Sequence, residues 1–177
     1  MAVVGYWGRH EVQEDCAEIH GMSQQTLSRL ARKVAIALAS KSSRYIKMPS
    51  TKIEQTNAIK KFETISELPG IIGAIDCTHI KLRKIDDESQ YNNSRESFFN
   101  IQVVCGADLK ICDIVCHTKE SIPNEVYKES PIKRRFDENE YIGKLIGDSG
   151  YARDPTLNKN GIIINSMLKL IMLLINV

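Results

Sequence analysis

The hydrophobic period of the chain changes near its middle, dividing it into a helical first part and a strand-rich second part. Val12, Cys16 and Ile19 recur at helical spacing. So do Leu27, Leu30, Ala31, Val34 and Leu38, which predicts a helix over 24–39 with one apolar face. Between them, His20-Gly21-Met22-Ser23 reads as a turn ending on an N-cap serine. A further helix is expected over 51–65, closed off by Pro69-Gly70. Beyond it the pattern becomes extended. Residues 71–82, 98–107 and 109–118 read as strands, the last two joined by a short turn at Asp108 and therefore antiparallel. A polar loop over 86–96 separates the first two strands, a short helix fits 124–129 after Pro123, and 141–151 reads as a fourth strand.

A helix, a glycine-containing turn and a serine-capped helix form the outline of a helix-turn-helix. Gln24, Gln25, Ser28, Arg29, Arg32 and Lys33 lie off the apolar stripe of the second helix and would face a major groove. Many helix pairs share this outline without touching nucleic acid, so charge has to arbitrate. The 177 residues carry a net charge of +2, yet between His20 and Lys61 nine basic residues stand against one acid, Glu54. A basic block beside a more acidic remainder favours an anionic partner, and DNA is the expected one. A merely solvated basic face is the competing reading.

The length fits one domain, or one domain with a small helical appendage, and suffices for a core without disulfides. Five cysteines, an odd number lying mostly in apolar runs, and no secretory pattern at the start suggest a reduced, intracellular protein. Cys77, His79, Cys112, Cys116 and His117 contain no C-x-x-C pair, which argues against zinc. Residues 162–177 are almost wholly apolar, with Lys169 the only charge. That run is shorter than the roughly twenty residues a membrane span needs, so no membrane association is expected.

The candidate chemistry lies in two isolated acids. Asp76 sits mid-run in Gly73-Ala74-Ile75-Asp76-Cys77, and Asp148 in Leu145-Ile146-Gly147-Asp148-Ser149, 148 − 76 = 72 residues later. Three strands, a helix and a fourth strand open a ribonuclease-H-like α/β fold, in which the first and fourth strands are neighbours. Two carboxylates brought together repel, and a divalent cation would neutralise both. A pair of Mg²⁺ or Mn²⁺ ions roughly 3.5–4 Å apart activates a nucleophile and stabilises the leaving oxygen of a phosphodiester. The plain alternative for Asp148 is a turn, because Asp-x-Gly suits one.

The run 68–80, from Leu68-Pro69-Gly70 through Asp76-Cys77-Thr78-His79-Ile80, resembles the core motif of Harbinger-type transposases and their domesticated nuclease relatives. Tyr91-Asn92-Asn93-Ser94-Arg95 is similar to that family's tyrosine-x-asparagine-arginine loop, and Phe99-Asn100-Ile101-Gln102-Val103-Val104-Cys105 to its second strand. The segment 145–151 resembles the strand bearing its second acid. Upstream, 21–29 is similar to the helical segment before the core, and Tyr45-Ile46-Lys47-Met48-Pro49 to its tyrosine-isoleucine-x-x-proline link. The likeness spans about residues 12 to 157. It implies a ribonuclease-H-like fold, metal-dependent DNA cleavage and strand transfer, and a separate DNA-binding partner protein that also serves nuclear import.

Of the family's two aspartates and one glutamate, Asp76 and Asp148 match the aspartates, as catalytic residues and as ligands of Mg²⁺ or Mn²⁺. The glutamate has no counterpart: among the 177 − 148 = 29 residues after Asp148 the only acid is Asp154. The family's histidine-aspartate loop after the third strand is replaced by Lys119-Glu120-Ser121-Ile122-Pro123. The expected division is a helical segment over 1–68, a partial nuclease core over 69–157 and an atypical apolar tail over 158–177. The expected activity is a weak or absent DNA nuclease in the nucleus and cytoplasm. The alternatives are a non-catalytic DNA- or protein-binding module and a decayed transposon fragment.

Overall fold

The computed structural model describes residues 2–9, 12–66, 68–82, 97–117, 122–151 and 154–158. The loop motif 91–95, the segment 119–121 and the apolar run 162–177 lie outside the described residues. The chain forms two compact units, one ending at Tyr45 and one beginning at Ile46.

The first unit contains helices α1 (Ala2–Arg9), α2 (Gln13–Ile19), α3 (Gln24–Ala39) and α4 (Ser42–Tyr45). Its core gathers Val3, Cys16, Ala17, Leu27 and Ala31, with Tyr6, Met22 and Val34 against them. The turn between α2 and α3 is a Schellman closure. Gly21 N–H donates to the Glu18 carbonyl (2.9 Å) and Met22 N–H to that of Ala17 (3.0 Å). Gly21 takes the left-handed φ of 64° that this closure needs. Ser23 then caps α3, its Oγ accepting from Thr26 N–H at 3.3 Å. Replacing Ser23 by alanine is expected to destabilise this unit by about 1 kcal/mol, read as a lower midpoint in its helical thermal melt. The apolar stripe of α3 is only partly covered. Leu27 and Ala31 are buried, whereas Leu38 is 60 % exposed, because α1 and α2 pack on the N-terminal half of the helix.

The second unit contains α5 (Lys52–Ser66), β1 (Ile71–Leu82), β2 (Ser97–Cys105), β3 (Ile111–His117), α6 (Pro123–Glu129), α7 (Pro131–Asp137), β4 (Lys144–Ile146) and β5 (Leu157–Asn158). α5 opens with a capping box: Thr51 N–H donates to Glu54 Oε2 (3.1 Å), and Glu54 N–H donates to Thr51 Oγ1 (3.2 Å). Those bonds and the Ser50 donors hold the Glu54 carboxyl below its usual range. The helix packs on β1, so it belongs with the sheet in the unit that begins at Ile46.

The sheet has the order β3-β2-β1-β4-β5. β1, β2 and β3 form an antiparallel meander, while β4 runs parallel to β1 and β5 parallel to β4. This is the mixed ribonuclease-H-like arrangement, with the first and fourth strands side by side. One face packs on Phe62 of α5 through Ile71, Ala74, Val103, Cys105 and Ile146. The other holds Ile72, Ile75, Val104 and Leu145 against Tyr127, Ile132, Phe136, Tyr141 and Tyr151. Two short helices fill the connection where one was expected. Ser130 Oγ accepts from Lys133 N–H (3.3 Å) and Pro131 occupies the first turn, which restarts the chain as α7. The fourth strand is much shorter than 141–151, because it breaks at Gly147 into a turn over 149–151.

Among the described residues no helix is long and apolar enough to cross a membrane. All five cysteines are free. Cys16 and Cys105 are buried as expected for core residues, but Cys116 is exposed on the edge strand β3.

Candidate active site

The β1–β4 pairing brings the two acids to one place. Ala74 pairs with Ile146; Asp76 lies two residues further along β1, and Asp148 two residues further along the chain, just past the end of β4. The Asp148 charge is near enough to act on Asp76. Burial is the main cause that raises the Asp76 carboxyl above its usual range, and Asp148 adds to it, while the Cys77 N–H bond opposes both. Asp76 is half-buried in the sheet, and Asp148 is exposed at its end.

Each carboxylate has one oxygen tied to the backbone. Cys77 N–H donates to Asp76 Oδ1 at 2.8 Å, and Gly150 N–H donates to Asp148 Oδ1 at 2.9 Å. The second bond is the Asp-x-Gly turn that the sequence allowed as the plain reading of Asp148. Here the turn and the acid pair coexist, since the turn fixes one oxygen and leaves the other. Cys77, beside the pair, is pushed up to about 11 by burial and by both aspartates, so it is a neutral thiol at physiological pH.

A half-buried carboxyl next to a second carboxyl is an uncompensated arrangement, and a hard divalent cation with oxygen ligands suits it. Asp76 and Asp148 are the residues that would hold one. Among the described residues there is no group of three or more His, Cys, Asp or Glu able to bind a metal ion. Asp154, the acid that follows Asp148, is engaged elsewhere. Its Oδ1 accepts from the Thr156 N–H (2.9 Å) and hydroxyl (2.5 Å), and its Oδ2 lies 3.5 Å from Lys133 Nζ. Burial works against the Asp154 charge, but the Thr156 bonds and Lys133 outweigh it and hold the carboxyl below its usual range. On β1 and β2, His79 hydrogen-bonds Asn100 across the strands, which gives that histidine a partner inside the fold.

In the first unit Gln24, Gln25, Ser28, Arg29, Arg32 and Lys33 are all exposed on α3. Gln24, Gln25, Ser28 and Arg29 join Gln13 of α2 around an open cleft of ≈ 400 Å³. Gln13 was not among the residues singled out in the sequence. It is the first residue of α2, and only the packing of α2 against α3 brings it beside them.

A ribonuclease-H-like sheet, with one aspartate on β1 and a second just past the end of β4, defines the class of this protein. The chain is similar to curated proteins of the Harbinger transposase-derived family. It is 28 % identical over 155 residues to a protein named "Putative nuclease HARBI1" from Rattus norvegicus, covering 85 % of this chain and 44 % of that one. The Xenopus laevis protein of the same name is 28 % identical over 171 residues, covering 89 % of this chain and 46 % of the relative. "Protein ALP1-like" from Arabidopsis thaliana is 28 % identical over 162 residues, 79 % of this chain and 38 % of that protein. The chain therefore spans less than half the length of these relatives. No family model matches the chain, and no solved structure matches it.

Proposed function

We propose that this chain is the core of a divalent-metal-dependent DNA nuclease, with Asp76 and Asp148 holding Mg²⁺ or Mn²⁺. The observation that carries this reading is the proximity of two carboxylates, one on β1 and one in the turn that follows the neighbouring parallel strand β4. The cation would supply charge neutralisation and polarisation of a phosphodiester. The chain's own part is to orient the two carboxylate oxygens, one from the rigid centre of the sheet and one from the turn after β4. The nuclease names of its relatives support the same reaction class. The exposed α3 residues Gln24, Gln25, Ser28, Arg29, Arg32 and Lys33 would contact duplex DNA, phosphates first and bases second. A separate DNA-binding partner protein and a nuclear site of action accompany this reading.

Removing either carboxylate is expected to cost on the order of 10²–10³ in rate. The test is Mn²⁺ binding by calorimetry alongside nicking of supercoiled duplex DNA, comparing the native chain with Asp76→Asn. Loss of Mn²⁺ binding and of any nicking in Asp76→Asn is the expected result. Unchanged Mn²⁺ binding in that variant would sink the proposal.

A binding module is the second reading, favoured by the exposed basic and amide side chains of α3. Salt-dependent duplex binding that persists when both aspartates are replaced, with no nicking by the native chain, would select it.

A further inference from the structure

Asp148 is exposed and lies past the end of a three-residue strand, so little of its own packing fixes where it points. Beyond the Gly150 N–H bond to its Oδ1, what fixes it lies in the same turn, at Gly147 on one side and Tyr151 on the other. Tyr151 N–H donates to the Asp148 carbonyl at 3.2 Å, closing the turn. The Tyr151 ring is 1 % exposed and lies directly against Gly147, where an added Cβ would meet the ring at 3.0 Å and Ile75 Cγ2 at 3.1 Å. Only a residue without a side chain leaves room there for the ring.

The ring is itself buttressed. It meets Tyr127 edge-to-face, with centroids 6.1 Å apart and planes at 83°. The Tyr127 hydroxyl bonds that of Thr156 at 2.8 Å, and Thr156 is anchored on Asp154. The Thr156 carbonyl in turn accepts from Leu145 N–H of β4 at 3.2 Å. A continuous set of contacts therefore runs from Asp154 through Thr156, Tyr127 and Tyr151 to the backbone on both sides of Asp148. The Tyr151 hydroxyl takes no part: it is buried and has no hydrogen-bond partner among the described residues. A buried donor left unpaired is a burden rather than a contribution.

We propose that Tyr151 is a positioning residue whose ring, backed by Tyr127, Thr156 and Asp154, holds Asp148 in register with Asp76. This rests on the reading of the two aspartates as a cation site. Asp154 thereby has a role although it is not a third acidic ligand.

The test is Mn²⁺ affinity of the full chain, measured well below each variant's melting temperature. Tyr151→Leu is expected to weaken binding about tenfold or more, the size of effect seen when a supporting residue behind a metal ligand is lost. Tyr151→Phe should keep native affinity, because it keeps the ring. Met48→Ala, a core truncation in the segment before α5, should lower the melting temperature without moving affinity. Asp76→Asn isolates the underlying reading, since a native affinity there removes the cation site itself. If Asp76→Asn abolishes binding while Tyr151→Leu behaves like Met48→Ala, the positioning role is overturned. Equal weakening by Tyr151→Phe and Tyr151→Leu would also overturn it, by assigning the effect to the hydroxyl. Should Tyr151→Leu fail to fold, Gly147→Ala displaces the same ring and is read in the same way.

Discussion

Replacing Lys133 by methionine is expected to destabilise the second unit by about 3 kcal/mol at neutral pH, because it strands a buried carboxylate. Asp154 has a side chain only 7 % exposed, and Lys133, 13 % exposed, lies 3.5 Å from it. Lys133 also pairs with Asp137, four residues along α7. The Thr156 bonds remain in the variant, which keeps the loss at the lower end of the range for a broken buried pair. The effect carries a pH signature. In the native chain the Asp154 carboxyl sits below its usual range, so its stabilisation is present above the unfolded carboxyl pKa and fades as pH falls through the folded one. In Lys133→Met burial is left without its main counter-charge, and the carboxyl rises. The difference between variant and native is therefore largest near pH 7 and narrows as the solution is acidified into the carboxylate range. Denaturant melts at several pH values check this, and a pH-independent difference would contradict the stranded-charge account.

The second large effect is expected at Gly73, in the middle of the sheet. A Cβ there would stand 2.8 Å from Val104 Cγ1 on β2 and 3.0 Å from Leu145 Cδ2 on β4. Both neighbours are fully buried, so neither can swing into solvent. Gly73→Ala should cost about 2–3 kcal/mol, at the upper part of the usual penalty for overpacking. Gly73→Val should leave no cooperative unfolding transition at all. Gly5→Ala is the internal comparison: nothing lies within 4 Å of that position in α1, and the substitution should be neutral or stabilising there. The role of Gly73 is specific to this sheet, because there β1 pairs with Leu145 of β4. A native-like melting temperature for Gly73→Ala would mean that the strands can part there without loss.

How much of this could be read from the sequence depended on which force fixed each element. α3 and β1 match their expected bounds to the residue, since a serine cap and a Pro-Gly stop leave the backbone few choices. β2 and β3 came within two residues of expectation at each end for the same reason, with the turn near Asp108 separating them. The fourth strand was over-read. Tyr141, Leu145, Ile146 and Tyr151 are all buried, but only Leu145 and Ile146 are buried as strand residues. Tyr141 packs tilted on Phe136 at 4.6 Å, and Tyr151 on Tyr127, so a run of apolar side chains concealed three different local structures. α7 was legible in Ser130-Pro131 and went unused.

Asp76 and Asp148 could be paired only through a topology, because no local pattern links residues 72 positions apart. The partners of Asp154 were not legible at all. Lys133 and Thr156 reach it from opposite sides in sequence, and only packing brings them together.

Gln55 carries a further consequence. Its buried amide, on α5, donates to the carbonyls of Glu140 (2.9 Å) and Pro49 (3.4 Å) and accepts from Ile142 N–H (3.1 Å). One side chain thus ties the approach to α5 and the approach to β4, segments more than eighty residues apart. The strand that delivers Asp148 cannot peel from the sheet at this end unless the helix on the sheet's face loosens with it. Opening of this end of β4 is then not a local breathing motion. It draws on the cooperativity of the whole unit.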